Sequence, residues 1–145
     1  MDNKRKDLSY FALRLKELLH ISFPELANDL KFIDQRLKLA ENTYEQAFLN
    51  GNRIDICTEI AEKVLFEDLH FSKFDLVFKV VCNEFHQLMA DEELRPFSIK
   101  MLTVCETVFA QYTLTEEFAD SPEFDILYTE LTGIIQIWIE ENGLQ

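Results

Sequence analysis

Residues 121–143 have the sequence SPEFDILYTELTGIIQIWIEENG, which carries the signals of an α-helix at both ends. Ser121 is a typical cap, Pro122 suits the first helical position, and Gly143 is typical of the residue that follows a helix. Between these ends the apolar residues recur every three or four positions, as one face of a helix requires. This main stripe consists of Phe124, Leu127, Tyr128, Leu131, Ile134, Ile135 and Trp138.

The same helix also carries apolar residues on the side away from its main stripe. Ile126 and Ile137 lie on that side, and Gly133 is close to them. A helix that is apolar on two sides is either central in its domain or covered by a partner or by a second copy of the chain. Gly133 costs a helix about 1 kcal/mol relative to Ala, and a closely packed neighbouring helix would offset that cost.

Similar apolar periods predict five further helices, with Asn28, Asp55 and Ser72 as caps of the second, third and fourth. No alternating stretch predicts a strand, and the few glycines and prolines argue against a turn-rich β fold. We therefore predict an all-α fold, a compact and partly orthogonal bundle of about six helices. The bundle is expected to be a single domain of residues 1–145, with residues 1–7 as a flexible N-terminal tail. The predicted helices before residue 121 cover 9–20, 28–50, 55–70, 72–89 and a fifth that follows DEELRP (91–96), has Pro96 in its first turn and ends near Tyr112.

The composition limits the classes of protein that the chain can belong to. Its 145 residues are 48% hydrophobic, enough for one domain with a sizeable core. No apolar run approaches the roughly 18 residues of a membrane span, and no signal-peptide core follows the basic N-terminus. The three cysteines form no Cys-x-x-Cys pair, which argues against a disulfide framework or a zinc knuckle. We therefore expect a cytoplasmic protein with no membrane contact.

The charge of the chain is strongly negative and unevenly distributed. The net charge is −13, and no Lys or Arg follows Lys100. Phosphate binding needs a basic face, whereas the chain offers only KRK at 4–6, so the charge argues against direct nucleic-acid binding. A protein partner with a basic surface would explain the acids through electrostatic complementarity, and mimicry of DNA is a narrower alternative. The acids after Lys100 are Glu106, Glu116, Glu117, Asp120, Glu123, Asp125, Glu130, Glu140 and Glu141.

Residues 115–125, TEEFADSPEFD, form the most acidic segment. They lack the alternating oxygen ligands and the Gly turn of a calcium loop, and paired carboxylates alone do not predict catalysis. Acids near helix starts also interact favourably with the helix dipole. We predict a partner-binding surface that combines this segment with the second apolar face of the last helix, for a basic protein or for self-association. Its residues are Glu116, Glu117, Asp120, Glu123, Asp125, Ile126, Gly133 and Ile137.

Cys82 and His86 lie four residues apart in the fourth predicted helix, a spacing that places two side chains on one helix face. A small metal-binding protein or an enzyme using this pair is therefore the alternative function. Structural zinc needs four ligands, and the other two would come from Cys57, His70 or Cys105. All three cysteines lie on apolar stripes, however, where Cys packs as a small hydrophobic residue. We predict three core thiols, no catalytic residue, no cofactor and no metal, with Cys82 and His86 as weak candidates.

Three phrases of the sequence resemble a known family: LHFSKFD (69–75), CETVFAQY (105–112) and FADSPEFDILYTELTG (118–133). The family is DUF1896, a small all-helical bacterial domain of unknown function, and the resemblance extends over nearly the whole chain from DLSYF (7–11) onward. It implies a protein of Bacteroides-type genomes, often encoded near conjugative-transposon genes, and it implies no catalytic or ligand residues. We expect a non-enzymatic helical interaction or accessory module, linked to a mobile genetic element.

Overall fold

The computed structural model of the protein describes residues 2–144, with side chains from Ser9 onward. In this range the backbone forms seven α-helices, two 3-10 helices and no strand, which confirms the predicted all-α multihelical fold. Within the same range no helix has both the length and the apolar character needed to cross a membrane. The helices are α1 (Asp2–Ser22), α2 (Leu30–Leu49), α3 (Ile54–Leu65), α4 (Lys73–Glu84), α5 (Asp91–Val104), α6 (Glu106–Phe109) and α7 (Glu123–Asn142), with 3-10 helices at His86–Leu88 and Phe118–Asp120.

The chain divides into two compact units, Met1–His70 and Phe71–Gln145, and each has its own hydrophobic core. The first unit contains α1 to α3, and the second contains α4 to α7. That residues 1–145 form a single domain stays a prediction. It would require the two units to unfold together. The flexible tail at residues 1–7 also stays a prediction.

The first unit is held together by apolar residues that recur every four positions along α1. Phe11, Leu15 and Leu19 are each at most 1% exposed and form one buried row. The ring of Phe11 meets Tyr44 of α2 edge to face, with centroids 6.2 Å apart. Small side chains on α2 and α3 then let these two helices pack closely. These small buried residues are Ala40, Ala47, Cys57 and Ala61.

Arg36 of α2 caps the C-terminus of α3. Its guanidinium donates to the backbone carbonyls of Leu65 (3.2 Å) and Glu67, and more weakly to that of Val64 (3.5 Å). The last carbonyls of a helix have no partner inside the helix, and a cation there complements the helix dipole. Phe32, one turn earlier on α2, lies 4.8 Å from the guanidinium carbon and supports its position. Arg36 therefore ties the end of α3 to the middle of α2.

The second unit is built around α4 and α7. Val77, Val80 and Val81 of α4 are fully buried, as are three residues of α7. A polar contact joins the same two helices: the Tyr128 hydroxyl donates to Glu84 Oε2 (2.9 Å) and accepts from Asn83 Nδ2 (3.2 Å). The apolar face of α7 is thus fixed in this core. Its fully buried residues are Leu127, Leu131 and Ile135.

Several predicted helix starts are wrong. α1 begins at Asp2, seven residues before the predicted start at residue 9. Asp29, not Asn28, caps α2, because the Asp29 carboxylate accepts a hydrogen bond from Phe32 N at 3.1 Å. Asp55 does not cap α3, which begins at Ile54, and lies instead in its first turn. Negative charge in that position is still favourable, because the helix dipole is positive there.

The predicted caps at the ends of the second unit are mostly confirmed. Ser72 caps α4, with its Oγ accepting from Asp75 N at 2.9 Å, and Gly143 ends α7 with a φ of 73°. Ser121 is not the cap of α7, because its hydroxyl donates instead to the Phe118 carbonyl at 2.7 Å, and Pro122 occupies the cap position.

The fifth predicted helix differs most from its prediction. It begins already at Asp91, so Pro96 lies inside α5 and not in its first turn. It also breaks at Cys105, so α5 and α6 replace one helix ending near Tyr112. The acids of DEELRP form the first turn of α5, where they favour the helix dipole.

Replacing Arg36 with Ala should lower the free energy of unfolding by about 2 kcal/mol, because hydrogen bonds from a charged group to carbonyls at the end of a helix are lost. Arg36→Lys should recover only part of this, because an ammonium lacks the planar fork of a guanidinium. Urea unfolding followed by circular dichroism measures both changes. Trp138 is the only tryptophan and lies in the second unit, so its fluorescence reports the unfolding of that unit. If the chain is a single domain, the fluorescence transition should shift with urea concentration by the same amount as the circular dichroism transition.

Lys38→Ala is the matched control, because Lys38 lies on the same helix and its ion pair with Asp34 is at the surface, with side chains 72% and 65% exposed. Its effect should stay within about 0.5 kcal/mol. An equal loss in both variants would contradict the capping role of Arg36.

Candidate functional site

The predicted partner-binding residues on α7 lie on its solvent side. Ile126 and Ile137 are each 54% exposed, and Gly133 between them is also exposed. A Cβ added to Gly133 would meet no heavy atom within 4 Å. The close helix approach that the sequence led us to expect at this glycine is therefore absent from the described chain. Its unfavourable helix propensity has no compensating contact among the described residues.

The acidic segment 115–125 is anchored by one aromatic residue. Phe118 is only 5% exposed, and its ring meets Phe71, Tyr112 and Phe124 edge to face at centroid distances of 5.5, 5.7 and 6.3 Å. Phe118 lies at the start of the 3-10 helix Phe118–Asp120. The segment is therefore held in place by its centre while its carboxylates point outward.

All five predicted carboxylates of this region are exposed. Across the side chains described by the structure, none of the five forms an ion pair with Lys, Arg or His. Their negative charge is therefore not neutralised within the described chain. These residues are Glu116, Glu117, Asp120, Glu123 and Asp125.

The structure adds further carboxylates to the surface. At about 100° per residue, Glu130 and Glu141 flank the row Ile126–Gly133–Ile137 on one edge, together with Glu123. Glu140 flanks it on the other edge, where its Oε1 accepts a hydrogen bond from Gln136 Nε2 at 3.0 Å. Sequence reasoning counted these acids but did not place Glu130, Glu140 and Glu141 in the site. The helical period around Gly133 was the signal that could have placed them.

Two exposed lysines lie over half-buried aromatic rings of α7. Lys79 Nζ is 5.7 Å from the centroid of the Phe124 ring, and Lys100 Nζ is 5.3 Å from that of Trp138. Both rings belong to the main apolar stripe of α7 and are partly buried in the core of the second unit. None of the carboxylates beside the row Ile126–Gly133–Ile137 forms an ion pair with a described base.

Glu130 also has a structural contact. The Tyr112 hydroxyl donates a hydrogen bond to Glu130 Oε1, which links α7 to the end of the segment after α6. This bond, with smaller effects of burial and of the negative charges of Glu130 and Glu123, raises the pKa of Tyr112 to about 12. The carboxylate of Glu130 is thereby held at the edge of the exposed row.

The alternative pair, Cys82 and His86, does not share a helix. α4 ends at Glu84, because Phe85 is buried and turns the chain out of the helical conformation at φ −128° and ψ 8°. His86 then lies exposed in a 3-10 helix, so the predicted extension of the fourth helix to residue 89 is wrong. The helix-face argument for the pair is lost with it.

Two of the three predicted core thiols, Cys57 and Cys105, lie in a hydrophobic core, and Cys82 does not. Cys57 and Cys105 are fully buried, and Cys82 is partly buried in α4. Burial, and to a lesser extent the charge of Asp91, raises the pKa of Cys82. Burial, with a smaller effect of Glu106, raises that of Cys105 to about 12. A reactive thiol needs the opposite shift, and the described residues contain no group of three or more His, Cys, Asp or Glu side chains that could hold a metal ion.

An open cleft of about 500 Å³ lies in the first unit, between α1 and the turn that follows α3. Leu18, Ile21, Phe66 and Leu69 form its apolar part. The charges of the cleft do not select a ligand of either sign. Arg14 is paired with Glu62 at 2.7 Å, and Glu17 adds a carboxylate with no ion pair among the described residues. No sequence pattern predicted this cleft. Its polar lining residues are Arg14, Glu17 and His70.

Comparisons with known proteins agree with the fold along the full length of the chain. The model of the family DUF1896, a domain of unknown function, matches residues 3–144. The crystal structure of protein PG0816 from Porphyromonas gingivalis is similar to this chain with a TM-score of 0.87 and 37% identity. The alignment covers 100% of this chain and 99% of that chain. A comparison with curated proteins finds no match.

Gly133→Ala should raise the free energy of unfolding by up to about 1 kcal/mol, because alanine favours the helix and its Cβ has open space. Gly143→Ala is the matched control and should lower the stability, because the φ of 73° at Gly143 is unfavourable for alanine. Urea unfolding measures both. A loss of stability in Gly133→Ala would mean that the glycine is packed against another part of the chain.

The Tyr112–Glu130 hydrogen bond should make stability depend on pH in the alkaline range. The folded-state pKa of about 12 is above the ordinary value of 10.0. The contribution is therefore complete below pH 10 and is lost as the pH rises through about 12. Ultraviolet titration of tyrosinate should show one group near 12 that disappears in Tyr112→Phe and moves down in Glu130→Gln. An unchanged titration curve in Glu130→Gln would contradict the assignment.

Proposed function

The chain belongs to the DUF1896 family, and from its second unit we propose that it is a non-enzymatic helical module that binds a protein with a basic surface. The contact surface consists of the acidic segment 115–125 and the exposed row Ile126–Gly133–Ile137 of α7. The observation that carries the proposal is the pairing of exposed isoleucines with carboxylates that no described base neutralises.

Apolar exposure gives this surface a source of affinity. Each isoleucine leaves 54% of its surface in water, and burying apolar area contributes about 25 cal/mol per Å². Scattered exposed apolar residues are common on proteins, so the isoleucines alone do not define a site. Their position between two edges of carboxylates distinguishes them from the other exposed apolar residues of the chain.

The charge of the surface selects the partner. Complementary charge steers association and suppresses binding to partners of the same sign. With a net charge of −13, two copies of this chain repel each other, and the repulsion is strongest where acids cluster. A basic partner is therefore favoured over self-association through the same surface.

The setting of the proposed interaction comes from the family resemblance. It implies an accessory protein of a conjugative transposon in a Bacteroides-type cell, and we propose that the contact forms in the cytoplasm. A partner of that setting would itself be a basic protein, such as one that handles nucleic acid. An acidic DNA mimic is a special case of this proposal, in which the carboxylates occupy the partner's nucleic-acid site.

The proposal is tested by capture with charge-reversed protein. The variant Glu116→Lys, Glu117→Lys and Asp120→Lys should lose most of the partner captured by wild type, because three exposed carboxylates become cations. The variant should melt close to wild type, because surface substitutions change stability by about 0.5 kcal/mol or less. The measurement is quantitative mass spectrometry of proteins retained from lysate by tagged chain at low and high salt, followed by reconstitution with the purified candidate.

The matched control is Glu17→Lys, Glu25→Lys and Glu59→Lys, which makes the same change in net charge on exposed residues of the first unit. Equal loss of capture in both variants would show a net-charge effect and contradict the placement. Undiminished capture by the first variant would also contradict it. If duplex DNA displaces this chain from the purified partner, the interaction is of the DNA-mimic form.

A further inference from the structure

We propose that the partner element that contacts α7 is a cationic amphipathic α-helix that lies along the exposed row Ile126–Gly133–Ile137. This inference rests on the proposed function and adds the form of the partner. It follows from the shape of the row, from the charges on its two edges and from the absence of any sheet edge in the described chain.

The row has the geometry that helix–helix packing uses. Its members are separated by seven and four residues, so they lie on one line along the helix. The isoleucines project at the two ends, and the surface dips at Gly133, where no side chain or neighbouring atom fills the space. A facing helix can place an apolar side chain into that dip and one on either side of it. Small residues permit this close approach of two helices.

Carboxylates border the row on both sides. Glu123, Glu130 and Glu141 lie along one edge, and Glu140 lies along the other, beside Gln136. In paired helices the positions that flank an apolar seam form the ion pairs that set partner choice. Acids on both edges therefore select a helix with Lys or Arg on both sides of its apolar stripe.

The other forms of occupant fit the surface less well. An extended peptide would bind by adding a strand to an open sheet edge, and residues 2–144 contain no strand. A second copy of α7 would bring the same acidic edges together. An amphipathic helix with basic flanks is the form that satisfies both the apolar row and the charges.

The probe is a synthetic peptide of about 18 residues, or five helical turns, with leucines on one helical face and lysines on the other. Its control is a scrambled peptide with the same composition and no apolar face. Fluorescence anisotropy at roughly 150 mM salt, where long-range charge effects are screened, gives both affinities for the full chain. Wild type should bind the amphipathic peptide at least about tenfold more tightly than the scrambled one, with a gain of helical circular dichroism.

Two variants test the location without altering any carboxylate. Ile126→Asn with Ile137→Asn removes the apolar ends, and Gly133→Gln fills the dip with a neutral polar side chain. Each should lower the affinity for the amphipathic peptide by about tenfold and leave the affinity for the scrambled peptide unchanged. The melting temperature of each variant shows that it is folded.

The matched controls lie on other exposed positions of the second unit. Leu88→Asn with Ile99→Asn removes two residues that are 52% and 40% exposed, and Thr103→Gln adds the same glutamine to α5. Both should bind the amphipathic peptide within about twofold of wild type. Loss in the controls as large as in the α7 variants would overturn the inference.

The outcomes separate this inference from the proposed function. Equal binding of both peptides, lost on reversal of Glu116, Glu117 and Asp120, would overturn the helical partner and support a basic partner of another form. Binding of neither peptide would overturn the helical partner, and the lysate capture would then decide the proposed function by itself. Selective binding that survives both α7 variants would also overturn the inference, because the helix would then dock elsewhere.

Discussion

The burial of one face of α7 is the constraint on which the rest of the second unit depends. Leu127, Leu131 and Ile135 are fully buried, and the surrounding core from α4, α5 and α6 packs against them. Because side chains on a helix project in all directions, fixing this face determines what the opposite face presents. Ile126 and Ile137 are therefore exposed as a consequence of the same packing that stabilises the unit.

Charge and packing act together on this helix. Lys79 and Lys100 are exposed and lie over the rings of Phe124 and Trp138, which belong to the inner stripe of α7. The acids of the outer side lie on solvent-exposed edges, where nothing in the described chain offsets them. Segregated charge of this kind contributes little to folding, since exposed charges interact weakly in water. It has a physical consequence chiefly for association with another molecule, through steering and selection of partners.

Local signals predicted the ends of several helices and failed where the tertiary structure intervened. Ser72 and Gly143 were predicted correctly, because a cap or a positive φ depends on residues within one turn. The breaks at Phe85 and Cys105 were missed, because both residues continue an apolar helical pattern. Both are buried in the core of the second unit, and periodicity alone does not reveal a change in backbone direction. The error at Phe85 removed the helix-face argument for Cys82 and His86.

The sequence by itself determined the all-α class, the buried stripe of α7, the core position of Cys57 and Cys105 and the excess of acids after Lys100. These follow from residue type and spacing, which are local. Only the tertiary structure decided that Gly133 has no neighbour and that Glu130 is held by Tyr112. Those features depend on which elements meet in space, and contacts between residues far apart in the chain leave no periodic mark in the sequence.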